Sequence, residues 1–158
     1  MTLKRFGALL LASALSVTIL AGCGEKGGES AIDADATAQS VMEKGGYTEE
    51  LVKQEDSVIG ASYPLLDLTQ VESYAVYVSG SGATPEEVAI VTAKSDSDVE
   101  SVRAAIDRRV DDLKFNFQDY HPEEMPKIES AVIVQKGRTV MLAICPGSDA
   151  VRELLEKL

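Results

Sequence analysis

Between positions 99 and 117 an apolar residue recurs every three or four places: Val99, Val102, Ile106, Val110, Leu113 and Phe117. That period is one face of an α-helix, and Ser97 with Glu100 three residues on has the spacing of a capping box at its start. A helix with one such stripe must lay it on an apolar surface, and the flanking segments offer one. Upstream, Tyr74-Ala75-Val76-Tyr77-Val78 and Glu87-Val88-Ala89-Ile90-Val91-Thr92-Ala93 are rich in β-formers, and Ser79-Gly80-Ser81-Gly82-Ala83-Thr84-Pro85 joins them, which reads as a hairpin. Downstream, Tyr120-His121-Pro122 and Pro126 break the helix. Ala131-Val132-Ile133-Val134-Gln135 and Thr139-Val140-Met141-Leu142-Ala143-Ile144 then flank a Lys136-Gly137-Arg138 turn, a second hairpin.

At the ends, the stretch from Asp33 to Lys44 carries helix formers and stops at Gly45-Gly46, while Asp149 to Leu158 puts Val151, Leu154, Leu155 and Leu158 on one side. From Tyr47 to Leu68 the pattern is weak, consistent with short helical turns or irregular structure. The order of elements predicts an α+β fold: a four-stranded, mainly antiparallel sheet from two hairpins separated by an amphipathic helix, with flanking N- and C-terminal helices. The chain has 158 residues, enough for one core, and the domain is expected over residues 33–158. With no Trp and three Phe, that core must come from Val, Ile, Leu, Met and Ala with a few Tyr.

The N-terminus follows different rules. Lys4 and Arg5 precede an apolar stretch from Phe6 to Leu20, shorter than the roughly 20 residues that a spanning helix needs, and small residues follow it. Leu20-Ala21-Gly22-Cys23 resembles the lipobox of bacterial lipoproteins at every position. The resemblance implies that residues 1–22 are a lipoprotein signal peptide and that the Cys23 thiol carries the lipid. The reading left aside is a secreted protein cut elsewhere, or an uncleaved anchor helix. Residues 23–32, through Gly24-Glu25-Lys26-Gly27-Gly28-Glu29-Ser30, read as a flexible tether. With Cys23 committed to lipid, Cys145 is the one cysteine left, so no internal disulfide is expected. Following an apolar run and preceding Pro146, Cys145 reads as a partly buried strand-end thiol.

Losing Lys4 and Arg5 with the signal leaves 13 basic against 26 acidic residues, about −13 for the exported form. Such a surface repels phosphate backbones, so no nucleic-acid partner is expected. Candidate sites have structural explanations beside them. Ser79-Gly80-Ser81-Gly82 could present amides to an anion but joins two strands, so it reads as a hairpin loop. Asp96 and Asp98 lack a calcium-loop continuation and suit a helix start. His121 is the one histidine, which leaves no His pair for a metal and reads as a loop residue. Glu123-Glu124 and Asp111-Asp112 are adjacent, and adjacent residues on a helix point apart. Arg103, Arg108 and Arg109 could form an anion site but are partly matched by Asp107, Asp111 and Asp112 on the same helix, so they read as local ion pairs. No catalytic, cofactor or metal site is assigned, and the chain is not expected to be an enzyme.

In Tyr74-Ala75-Val76-Tyr77, Glu86-Glu87-Val88-Ala89-Ile90, Arg108-Arg109, Tyr120-His121-Pro122-Glu123-Glu124 and Lys136-Gly137-Arg138, together with the lipobox and this order of elements, the chain resembles a family of bacterial lipoproteins sharing the domain of unknown function 4358. The likeness spans roughly residues 33 to 156 and implies no activity, ligand or catalytic residue. The expectation is a lipoprotein held through the Cys23 lipid at the extracytoplasmic face of the cell membrane, whose domain binds an envelope protein or small ligand in a non-catalytic accessory role. The alternatives are a cell-envelope hydrolase using carboxylates, which needs two acids facing one cleft, and an assembly factor bound to another envelope protein.

Overall fold

Residues 32–158 are described by a computed structural model. The signal peptide, Cys23 and nearly all of the tether lie outside the described residues. The elements run α1 (Ala34–Gly45), β1 (Leu51–Lys53), α2 (Asp56–Ser62), β2 (Val71–Ser79), β3 (Glu87–Ala93), α3 (Val99–Phe117), α4 (Met125–Glu129), β4 (Val132–Lys136), β5 (Thr139–Ile144) and α5 (Ser148–Glu156). Short 3-10 turns occupy Leu68–Gln70, Asp96–Asp98 and Pro122–Glu124.

Both expected hairpins form, β2 with β3 and β4 with β5, and they join because β3 pairs antiparallel with β5, Ile90 opposite Met141. The expectation of four strands is corrected to five among the described residues, in the order β1-β2-β3-β5-β4, all antiparallel. The added strand, β1, places Leu51 opposite Ser79 and Lys53 opposite Tyr77. Three residues are too few for a two-residue alternation to stand out, so only pairing with the edge of β2 makes this segment a strand. It is short and half-exposed, a form of edge that discourages further pairing.

The two central strands are buried on both faces, which explains their unbroken apolar sequences. On one face, Ala89, Val91, Val140 and Leu142 pack under Val102, Ile106, Val110, Leu113 and Phe117 of α3, with Ile59 and Tyr63 from the α2 region and Ile128 of α4. Truncating Ile106 to Ala would remove a fully buried side chain from this layer, at a cost of about 2–5 kcal/mol. On the other face, Val88, Ile90, Met141 and Ala143 meet Ala38 and Val41 of α1 and Val151 and Leu155 of α5.

Helix ends follow from local chemistry. The Asp33 side chain accepts the Ala36 amide at 2.8 Å, and Gly46, with φ 64°, ends α1 in the left-handed conformation. Gly147 donates its amide to the Gly45 carbonyl at 2.8 Å, fastening the start of α5 to the end of α1. The expected Ser97–Glu100 box does not cap α3. The helix is instead preceded by the 3-10 turn Asp96–Asp98, where Ser95 Oγ donates to Asp98 Oδ2 at 2.5 Å.

Candidate functional site

Strand β3 starts where two glutamates enter an otherwise apolar run. Side chains alternate along a strand, so Glu87 shares the α3 face with Ala89 and Val91, while Glu86 has the parity of Val88 and Ile90 on the opposite face. Each is only 1% exposed. A carboxylate that deep is tolerated only with a cation and hydrogen bonds beside it, and the fold brings both.

Glu87 receives Arg109 from α3. Arg109 Nη2 donates to Oε2 at 2.6 Å and Nε to the two oxygens at 3.0 and 3.2 Å. The Tyr63 hydroxyl, from the fully buried ring that follows α2, also donates to Glu87 Oε1. The Arg109 guanidinium lies over that ring, 5.6 Å from its centroid, so a cation–π contact holds its face while Glu87 holds one edge. Burial works against the Arg109 charge, but the Glu87 carboxylate outweighs it and holds the guanidinium pKa above its ordinary value. The Tyr63 hydroxyl is pushed far up by burial and by that carboxylate, so it stays a donor.

Glu86 is held by a different set. Thr48 donates its amide at 2.8 Å and its hydroxyl at 2.7 Å, and Lys127 of α4 donates Nζ at 2.9 Å while also reaching Glu124 at 2.8 Å. Burial pushes the Glu86 carboxyl up, but Lys127 and Thr48 overcome that and leave it below its ordinary value. A small cleft of about 140 Å³ opens at this end of the sheet, with Arg109, Glu86 and Glu87 among its lining, Val78, Pro85, Leu113 and Phe117 as apolar wall, and Ser79 and Thr84 at the loop side. A wider depression of about 340 Å³ lies around the Gly137 turn. Its Arg138 is engaged by Glu72 at 2.5 Å and by the carbonyls of Ala93 and Lys94 at 2.7 Å.

The residues singled out in the sequence scatter. Cys145 is buried at the end of β5, and burial raises its thiol pKa. The Tyr47 hydroxyl is buried without a hydrogen-bond partner among the described residues. His121 is exposed, with Nδ1 3.2 Å from Glu123. Asp111 sits 3.5 Å from Lys114 and Asp112 2.8 Å from Arg108, while Glu124 turns to Lys127, so neither adjacent acid pair works as a unit. Ser79 and Ser81 both donate to Glu49 at 2.6 Å, which shapes the hairpin loop. No group of three metal-ligating side chains occurs among the described residues. Arg103 pairs with Asp107 at 3.0 Å and Arg108 with Asp112, as expected. The expectation for Arg109 is corrected: it leaves its own helix and turns inward to Glu87.

Glu86 and Glu87 are the residues that sequence reasoning passed over. A signal existed: two acids head a strand otherwise without charge, and Arg109, three residues after Ile106 and four before Leu113, falls on the apolar stripe itself.

The fold and this site together define a two-faced α+β domain with two buried, cation-matched glutamates at one end of its sheet. The chain belongs to the family of the domain of unknown function DUF4358, whose model matches residues 43–145, about two-thirds of the chain. That span runs from the last turn of α1 to Cys145 after β5 and contains Tyr63, Glu86, Glu87, Arg109 and Lys127; α5 and most of α1 fall outside it. No curated protein and no solved structure shows a significant match to the chain.

Proposed function

We propose that this protein is an extracytoplasmic lipoprotein, held at the membrane by lipid on Cys23, whose α+β domain is a non-catalytic binding module. Support for the anchor is the charged start, short apolar stretch and Leu20-Ala21-Gly22-Cys23. No helix of the described residues is long and apolar enough to cross a membrane.

The observation that carries the binding reading is the arrangement of the buried acids. Carboxylate hydrolysis needs two acids facing one substrate, one of them free to give a proton. Glu86 and Glu87 both line the cleft, but each is already bonded to its own cation, Glu86 to Lys127 and Glu87 to Arg109. That cleft is of mixed apolar and polar character, the usual make-up of a small recognition site.

The anchor is tested with a Cys23→Ser precursor expressed in cells. It should lose its membrane association and its lipid mass; a variant that stays membrane-bound and is processed normally refutes the lipoprotein reading. Binding is tested by cross-linking in intact cells followed by mass spectrometry, where failure to recover any reproducible partner through the folded domain counts against it.

A further inference from the structure

Arg109 uses one edge of its guanidinium, Nε and Nη2, on Glu87. The group is planar and carries five N–H donors, so the donors left over lie on the opposite edge, directed away from Glu87. Nη1 has no acceptor among the described residues, and it is not sealed off, since the Tyr47 hydroxyl is the one buried side-chain polar atom there without a partner. Arg109 lines the cleft and keeps 15% of its side chain exposed. Of the other polar side chains at the loop side, Ser79 Oγ donates to Glu49, while Thr84 Oγ1 accepts the Glu86 amide and keeps its own O–H free. The charged donor with unmet hydrogen-bonding capacity in the cleft is therefore Arg109.

Size and charge narrow what can meet it. The cleft is small, and its Pro85, Leu113 and Phe117 wall suits one aliphatic side chain. The Arg109 charge is already matched by Glu87, and Lys127 is shared between Glu86 and Glu124. Glu49, beside Ser79 at the loop, has no cationic partner among the described residues. The mouth thus carries surplus negative charge and disfavours a carboxylate or phosphate. A neutral oxygen is the acceptor that fits an already neutralised guanidinium.

Building on the binding-module reading, we infer that this cleft takes a single aliphatic side chain from an uncharged segment of a partner polypeptide, whose backbone carbonyl accepts a hydrogen bond from Arg109 Nη1. The mature lipidated chain in micelles is titrated with N-acetyl-leucine N-methylamide and, separately, with the carboxylate N-acetyl-leucine, following the Arg109 Nε–H and the Gly82 and Leu113 amide resonances. The neutral probe should shift all three saturably, with the carboxylate about tenfold weaker or worse. Thr84→Phe adds bulk at the loop side of the cleft, at a residue outside the Glu87–Arg109 hydrogen bonds, and should abolish the shifts. Arg109→Lys keeps the charge but loses the planar fork, and should weaken the neutral probe about tenfold, the value of one charge-assisted hydrogen bond. Absence of saturable shifts, equal or tighter binding of the carboxylate, or undiminished binding by Thr84→Phe overturns the inference. If Thr84→Phe still captures the wild-type partner in intact cells, the cleft assignment falls while the binding-module reading stands.

Discussion

Replacing Arg109 with methionine would strand the Glu87 carboxylate in the core. Glu87 is 1% exposed and would keep the Tyr63 hydroxyl as its one remaining partner, since Arg109 supplies every other contact it has among the described side chains. Breaking a buried pair from one side costs about 3–5 kcal/mol, because the surviving charge stays desolvated. Against the roughly 5–15 kcal/mol that a domain has in total, this is a large share. The reverse change should be milder. Glu87→Gln leaves an amide oxygen for Tyr63 and Arg109, and the Arg109 head, 15% exposed, can turn toward the cleft and water; about 1–3 kcal/mol is expected. The double variant Glu87→Leu/Arg109→Met removes both charges, and apolar replacement of a buried pair is often close to neutral. It should therefore be more stable than Arg109→Met alone. Urea titration of the wild type and these variants measures this, with differences read from midpoints at unchanged slope. A cost below about 1 kcal/mol for Arg109→Met, or a double variant less stable than Arg109→Met, would refute the reasoning.

The Glu86 carboxyl is held below its ordinary value of 4.5 although burial opposes this, because Lys127 and Thr48 favour its charged form. A folded-state pKa depressed in this way stabilises the fold above about pH 4.5, and that contribution disappears as pH falls through the folded value. Glu86→Gln should flatten the acid side of a stability–pH profile measured by thermal melts, and an unchanged acid limb would count against the assignment. A Cβ at position 147 would sit 2.9 Å from the Gly45 and Lys44 carbonyls, so Gly147→Ala should destabilise by about 1–3 kcal/mol, read as a lowered Tm. At Gly60 in α2 nothing lies within 4 Å of such an atom, and Gly60→Ala should instead gain about 0.5–1 kcal/mol. Cys145 is buried with a raised thiol pKa, so a thiol reagent should label the native chain slowly and the urea-unfolded chain at once; equal rates would show that the end of β5 is open.

The sequence by itself determined the pieces whose signal is local. The stripe from Val99 to Phe117 could only be an amphipathic helix, and the apolar runs at Glu87–Ala93 and Thr139–Ile144 could only be strands, because period and composition are set by neighbours a few residues apart. It also showed Cys145 as a strand-end thiol and His121 as a loop residue. Tertiary structure decided what depends on distant partners. Leu51–Lys53 is a strand only because β2 offers it an edge. The same holds for the candidate site. Helix neighbours at three and four residues offered Arg109 an ion pair on its own surface, but β3 delivers Glu87 into the core, where an unmatched charge is far more costly than a forgone surface pair. The arginine therefore turns inward, and a residue that reads as surface charge becomes the centre of the candidate site.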